Sequence, residues 1–258
     1  MTKGTSWEHM SVSQYKNFCK CPACQMARLR GEWTDDDTEA LMAGRYVDAM
    51  LTGDPESYIE ENSRELFKRN GEPYAWVLKA DYAVEAVKKQ PLMMHLLSGE
   101  HQVEMEAEIE GVNTLIRMDS YKEGEFIADL KYVRDFKSPN LFQNIIDYYG
   151  YDMQGAVYQE VVFQKTGKRL PFYLVMVTKH EYPRVAVVEI PQEQLTDKIM
   201  EYRTRVQYFD KIKKGEIEAE RCEDCDYCAM TTQLVEPIQA PELGKSKEEL
   251  KRMKGVFT

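Results

Sequence analysis

The sequence predicts an α/β fold (α+β) in which a central mixed β-sheet is flanked by helices. Three observations predict it: helical periodicity through the first hundred residues, apolar–polar alternation over 102–133, and a return of helical periodicity between and after two further apolar strands. The 258 residues, 43% of them hydrophobic, suit a single domain over 1–258. We expect it to have a helical N-terminal part (1–100) and a cysteine-containing C-terminal tail (220–258).

Start and stop residues divide the N-terminal part into helices. We predict four helical segments there: one that begins near Ser13 and is disturbed near Pro22, one over 38–53 ended by Gly53, a short one within 54–73, and one over 75–99 that restarts after Pro91.

Strands follow, because the apolar period changes from that of a helix to alternation. The predicted strands are 102–111, 113–122, 125–133, 170–179 and 184–191. The first three are typical of an antiparallel meander, and the fourth is apolar enough to be central. Between them we predict a long helix over 140–167 with a candidate break at Gly150, and after them an amphipathic helix over 192–216.

The formal net charge of −10 is unusual for a nucleic-acid binder, which is expected to be basic. Two explanations stay open: the partner is not nucleic acid, or divalent metals neutralise a carboxylate cluster while a local basic patch contacts phosphate. No apolar run is long enough to predict a membrane span, and the N-terminus has no apolar segment typical of a secretory signal. We therefore expect a cytoplasmic protein without a membrane partner.

A carboxylate–lysine group lies in the second and third strands. Asp119 is predicted to end the second strand, and Asp129 and Lys131 share one face of the third. Paired carboxylates suit Mg²⁺ or Mn²⁺, with the Leu130 carbonyl nearby and Lys131 placed to orient a water or steady a phosphate. The alternative is an exposed Asp-x-Lys ladder on a solvated strand face. The apolar residues 126–128 that lead into the group favour the site.

This group resembles the motifs of the PD-(D/E)XK nuclease superfamily. Asp119 matches the first motif aspartate, although Met118 replaces the proline, and the segment Asp129-Leu130-Lys131 matches the second motif in its D-x-K form. The resemblance implies a restriction-endonuclease-like core and metal-dependent hydrolysis of phosphodiester bonds.

Further motifs resemble the RecB-like branch of that superfamily. The segment GRYVDAML carries Asp48 where the branch has a metal-binding histidine. The segment YDMQGAVYQ matches Y-x-x-Q-x-x-x-Y, so Tyr151, Gln154 and Tyr158 share a helix face that in such nucleases meets the active site and DNA backbone. The alternative for the tyrosines is simple packing against the sheet. An N-terminal S-x-S…C-P pattern ends with Cys21, and the resemblance spans 11–230.

Within this branch, the sequence resembles the RecE-type (exonuclease VIII-like) exonucleases of phages and prophages. The resemblance implies a Mg²⁺-dependent DNA exonuclease that resects one strand of duplex DNA for recombination, with a single-strand annealing protein as partner and a homo-oligomeric state. The implied metal ligands are Asp48, Asp119, Asp129 and the Leu130 carbonyl, and Gln154 and Tyr158 would orient the substrate. We also expect Glu106 or Glu108 of the first strand to complete the metal shell, and strand alternation alone does not choose between them.

The six cysteines form an N-terminal and a C-terminal group, a spacing that in a cytosolic protein favours metal over disulfides. Some RecB-like nucleases hold a 4Fe–4S cluster with one N-terminal and three C-terminal cysteines, which here implies the set Cys21, Cys222, Cys225 and Cys228. A zinc site is the second candidate, with the set Cys21, Cys24, Cys225 and Cys228. Reduced thiols without metal are the third.

Two other functional classes stay open. Asp48 in the histidine position and the missing proline are compatible with a degenerate nuclease fold that binds DNA or protein without cutting. The cysteines are compatible with a redox sensor or scaffold in which their metal is the main feature.

Overall fold

The computed structural model describes residues 7–35, 38–233, 237, 240–242, 244 and 249, so most of the predicted tail beyond 233 lies outside the described residues. The described helices are α1 (Val12–Lys20), α2 (Pro22–Arg30), α3 (Glu39–Thr52), α4 (Pro55–Glu61), α5 (Ser63–Leu66), α6 (Ala75–Lys88), α7 (Pro91–Leu96), α8 (Ile145–Tyr149), α9 (Tyr151–Thr166), α10 (Gln192–Lys213) and α11 (Asp226–Thr231), with a short 3₁₀ helix at Ala240–Glu242. None of these helices is both long and apolar enough to cross a membrane.

The strands form one mixed sheet, as predicted. They are β1 (Glu100–Ile109), β2 (Val112–Lys122), β3 (Phe126–Val133), β4 (Phe172–Thr178) and β5 (Val185–Glu189), in the order β1-β2-β3-β4-β5. β1, β2 and β3 form the predicted antiparallel meander, β3 and β4 are parallel, and β5 is antiparallel to β4. A parallel step needs a long crossover, and α8 and α9 supply it.

Helices cover both faces of the sheet, and β4 shows why the strand sequence is apolar throughout. Leu174 and Met176 pack in the core cluster that contains residues of α9 and α10. Val175 and Val177 pack in the opposite cluster, which contains residues of α3 and α6. A strand that is buried on both faces carries apolar side chains on both. The prediction that β4 is a central strand is confirmed.

The first helical segment begins at Val12, next to the predicted Ser13. Its N-cap is Ser11, whose side chain accepts a hydrogen bond from the Gln14 amide. The predicted disturbance is an extended residue, Cys21, which ends α1 and caps α2, where Pro22 occupies the first turn. The segment 54–73 holds two short helices, α4 and α5, where one was predicted.

The predicted break at Gly150 is confirmed, and it orients the helix that faces the sheet. Gly150 has a φ of 61° and separates α8 from α9. The helical segment starts at Ile145, later than the predicted 140. α9 lies very close to the sheet at Gly155. A Cβ atom added there would lie only 2.5 Å from a ring carbon of Phe172. The residue before Gly155, Gln154, donates a hydrogen bond to Asp129 of β3.

Candidate active site

A gap between β2 and β3 forms the base of the site. The two strands pair over only three residue pairs next to their hairpin turn, ending at Ser120↔Ala128. Beyond that point the Asp119 carboxylate enters the gap, and its Oδ2 accepts a hydrogen bond of 2.9 Å from the Leu130 amide. The side chain thus satisfies a backbone donor that lacks a strand partner. Asp119 lies inside β2, and not at its end as predicted, because β2 continues beyond it to Lys122.

Asp129 and Lys131 share a strand face, as predicted from alternation. Asp129 is only 2% exposed; its Oδ1 accepts a hydrogen bond of 2.7 Å from Gln154 Nε2, and its Oδ2 forms an ion pair with the Lys131 ammonium. Burial alone would lower the pKa of Lys131, but the charges of Asp129 and Asp119 outweigh burial and raise that pKa above its usual value. Lys131 is therefore a charged donor at neutral pH.

Asp48 approaches the gap from α3. Its Oδ1 accepts hydrogen bonds from Thr52 Oγ1 at 2.6 Å and from Gln102 Nε2 at 3.5 Å. Burial raises the pKa of Asp48, and the charge of Asp129 raises it further. Burial likewise raises the pKa of Asp119, with added repulsion from Asp129 and Asp48. The three carboxylates therefore repel one another, and a cation among them would relieve the repulsion.

The donor set fits a loosely held divalent ion. Across the described parts of the chain, only a cysteine cluster brings three or more ligand atoms within 4.8 Å of one another, so the oxygens of Asp48, Asp119 and Asp129 are more widely spaced. Mg²⁺ is commonly held by one or two carboxylates, with waters and substrate phosphates completing its shell. Asp119 with either neighbour meets that requirement.

An open cleft of about 570 Å³ lies above the gap, between α3 and the sheet. Asp48, Asp119 and Leu130 line it together with three cations, Arg45, Lys131 and Lys179. The Lys179 ammonium lies 5.0 Å from the ring centroid of Tyr132 and donates to the Ala40 carbonyl. Cations beside carboxylates suit a metal ion with a bound anion.

Gln154 and Tyr158 both form hydrogen bonds with strand residues at the site. Gln154 donates its amide to Asp129, while the buried Tyr158 donates its hydroxyl to the Arg117 carbonyl at 2.7 Å. Burial raises the pKa of Tyr158, so the phenol stays protonated and remains a donor. These contacts hold β2 and β3 in place. The orientation of a substrate by these two side chains stays a prediction.

Glu106 and Glu108 do not reach the site. The two glutamates are exposed and pair in register with Leu115 and Asn113, near the turn of the β1–β2 hairpin. Glu106 forms a hydrogen bond of 2.8 Å with His9 instead. The prediction that one of them completes the metal shell is wrong in this conformation, because alternation gives the face of a strand but not its register.

Two side chains at the site were not predicted. Gln102 falls in register between His101↔Ser120 and Val103↔Met118, beside Asp119, and has a φ of 55°. Counting back from the hairpin turn would have located it. Lys16 of α1 donates to the Tyr149 carbonyl at 3.0 Å; burial and the charge of Lys131 lower its pKa to about 8. No local signal in the sequence indicates that contact.

The cysteine cluster joins the two ends of the described chain. The Sγ atoms of Cys21, Cys222, Cys225 and Cys228 all lie within 4.8 Å of one another, with 3.7 Å between Cys21 and Cys228 and 3.9 Å between Cys222 and Cys228. This is the set expected for the 4Fe–4S site. Cys24 lies outside it, although its amide donates to the Cys21 sulfur. A tetrahedral ion with sulfur ligands at about 2.3 Å would give sulfur separations of about 3.8 Å, so the spacing also suits one metal ion.

Comparisons with known proteins agree with this geometry. The sequence matches the family described as "PDDEXK-like domain of unknown function (DUF3799)" over residues 11–231. No curated protein matches it. A crystal structure of a "putative exonuclease" from Eubacterium rectale superposes with a TM-score of 0.86 at 33% identity, covering 92% of this chain and 93% of that one. The chain therefore belongs to this PDDEXK-like family and is a member of the PD-(D/E)XK nuclease superfamily.

Proposed function

We propose that this chain is a deoxyribonuclease that depends on Mg²⁺ or Mn²⁺ and hydrolyses phosphodiester bonds. The observation that carries the proposal is the gap between β2 and β3, where Asp119, Asp129 and Lys131 meet below a cleft that also contains Asp48. Arg45 and the other cations of the cleft provide attraction for a phosphate backbone.

Each residue of the site has a physical task in this proposal. Asp119 and Asp129, with Asp48 and the Leu130 carbonyl, would hold the ion. When bound, a divalent ion supplies charge that stabilises the phosphoryl transition state. Lys131 stays protonated beside Asp129 and can donate to a phosphate oxygen or to the incoming water.

The finer proposal is an exonuclease that resects duplex DNA, as in the RecE-type enzymes. It is supported by the motif resemblance and by the similarity to a structure described as a "putative exonuclease". A single-strand annealing protein as partner, a ring-shaped homo-oligomer and a cytoplasmic location belong to the same proposal.

We also propose that the four clustered cysteines hold a structural metal centre, either a 4Fe–4S cluster or Zn²⁺. Their convergence supports a metal, and the hydrogen bond of 3.0 Å from the Ala23 amide to the Glu220 carbonyl shows that α2 and the C-terminal segment already lie side by side. Quantifying iron, acid-labile sulfide and zinc per chain after anaerobic purification distinguishes the two. Purified protein with neither metal and with all thiols titratable would contradict the proposal.

The nuclease proposal is tested with end-labelled linear duplex DNA beside closed circular DNA, each with Mg²⁺ and with EDTA. We expect Mg²⁺-dependent loss of the linear substrate and survival of the circle. Lys131→Ala should abolish cleavage, whereas Lys88→Ala, which changes an exposed lysine of α6, should not. Cleavage by Lys131→Ala would remove Lys131 from the mechanism. DNA binding without any cleavage would favour the degenerate nuclease fold.

A further inference from the structure

Two adjacent apolar side chains are almost fully exposed on the loop between β3 and α8. Leu141 is 96% exposed and Phe142 is 95% exposed. Both ends of this loop lie beside the candidate active site, because β3 carries Lys131 and α8 leads directly into α9 with Gln154. Exposed large apolar groups in such a position commonly mark a binding surface.

Hydrogen bonds define the turn that presents these side chains. The Asn140 carboxamide oxygen accepts from the Phe142 amide at 2.9 Å, and its nitrogen donates to Gln143 Oε1 at 3.2 Å. Ser138 Oγ accepts from the Asn140 amide at 3.1 Å. A hydrogen-bonded turn therefore holds the Leu141–Phe142 tip.

A row of tyrosine rings connects the surface near this loop to the active-site lysine. Tyr148 lies edge-on to Tyr149 at 4.9 Å between centroids, and Tyr149 stacks on Tyr151 at 5.5 Å with 24° between the planes. The Lys131 ammonium lies 5.1 Å from the centroid of Tyr151. Tyr148 and Tyr149 are exposed, whereas Tyr151 is half-buried. The tyrosine row thus runs from solvent to the catalytic lysine.

Positive charge accompanies the tyrosine row. The Lys16 ammonium lies 6.0 Å from the Tyr151 centroid, and Arg134 and Lys137 are exposed on the loop itself. Aromatic faces for stacking, combined with cations for the backbone, are the features of surfaces that bind single-stranded nucleic acid. Paired bases inside a duplex offer no free face to such rings.

We propose that the tyrosine row and the Leu141–Phe142 tip bind unpaired nucleotides of DNA, and that the tip keeps the strand leading to the site separated from its complement. The inference rests on the proposed function for its substrate, DNA, and adds that the strand reaches the site single-stranded. It assigns base stacking to Tyr148 and Tyr149, which lie outside the catalytic group.

Binding of a fluorescent single-stranded oligonucleotide in EDTA tests the surface without any catalysis. Tyr148→Ala/Tyr149→Ala should bind more weakly by at least the roughly 5- to 150-fold expected for one lost stacking contact. Lys16 keeps its contact in this variant because it donates to the Tyr149 backbone. Tyr182→Ala is the matched control, since Tyr182 is 84% exposed on the β4–β5 connection, and its affinity should equal that of wild type.

The tip is tested by comparing duplexes with a paired end and with three mismatched terminal pairs. Leu141→Ser/Phe142→Ser should slow digestion of the paired end and spare the mismatched one, while Leu92→Ser, an exposed leucine of α7, should change neither. Thermal melts verify that each variant folds.

The outcomes separate this inference from the proposed function. Unchanged single-strand affinity in the tyrosine variant overturns the stacking surface even if nuclease activity is intact. If the tip variant digests the paired and the mismatched ends equally slowly, the separating role of the tip is overturned. It is also overturned if the variant changes only in oligomeric state, because the tip would then form a protein contact. If the tyrosine variant loses affinity for single strands while the wild-type protein never cleaves DNA, the stacking surface is supported and the nuclease proposal is contradicted.

Discussion

The Gln154 amide offers the sharpest test of how the site is held together. It donates a hydrogen bond of 2.7 Å to a carboxylate oxygen of Asp129, which is only 2% exposed. Gln154→Leu keeps a similar volume but removes the donor. A hydrogen bond to a charged group is worth about 1.5–3 kcal/mol. For a chain of this size, each kcal/mol corresponds to about 2–4 °C in Tm, so we expect Tm to fall by roughly 3–12 °C.

The same substitution should weaken metal binding, because Gln154 fixes the orientation of a ligand. Losing such a supporting hydrogen bond typically costs about 10- to 100-fold in metal affinity or activity. Calorimetric titration with Mn²⁺ and thermal melts in EDTA give the two quantities. The matched control is Gln164→Leu, which removes an amide-to-carboxylate hydrogen bond of 3.1 Å to Glu160 on the same helix, away from the cleft. We expect that control to bind Mn²⁺ normally.

Loss of stability in Gln154→Leu with unchanged Mn²⁺ affinity would refute this reasoning. Gln154 would then be a buried amide that satisfies Asp129 without any effect on the metal. Unchanged stability and affinity together would mean that the hydrogen bond itself does not form in solution.

Three further predictions concern charge, positioning and the cysteines. Burial and nearby carboxylates raise the pKa of Asp119, so its contribution to stability is greatest at acidic pH and is lost as pH rises through that raised pKa. In EDTA, the Asp119→Asn variant should therefore have a higher Tm than wild type at pH 7. This difference in Tm should shrink towards pH 4. Tyr158→Phe removes the donor to a β2 carbonyl and should cost about 0.5–1.5 kcal/mol in urea denaturation, lowering kcat more than it changes KM; a change in KM alone would restore the substrate-contact role. Cys228→Ser should lose the metal measured by elemental analysis, whereas Cys19→Ser should retain it, and equal metal content in both would contradict the cluster.

The sheet and the strand face that carries the candidate site could be predicted because each depends on a short-range pattern. Alternation over β1 and the apolar run of β4 follow directly from burial on one face or both. Asp129 and Lys131 had to share a face because they are two residues apart in a strand. Their meeting with Asp119 required only a tight hairpin.

Other features of the site depend on information that short-range patterns do not contain. Glu106 was placed at the site because alternation fixes a face, whereas its distance from Asp119 depends on the hairpin register. Helical spacing placed Tyr158 on the correct face of α9 but could not show that its hydroxyl is used by a backbone carbonyl. Gln102 has a positive φ inside a strand, which no propensity of glutamine predicts.

In the proposed function, the separation of β2 from β3 creates a pocket for a divalent cation. Calorimetric titration of Mn²⁺ into metal-free wild type and Asp119→Asn tests it most directly, because Mn²⁺ prefers oxygen ligands over the thiols of the cysteine cluster. We predict saturable binding at one or two sites in wild type and its loss in Asp119→Asn. Indistinguishable isotherms for the two proteins would mean that Asp119 does not bind the ion.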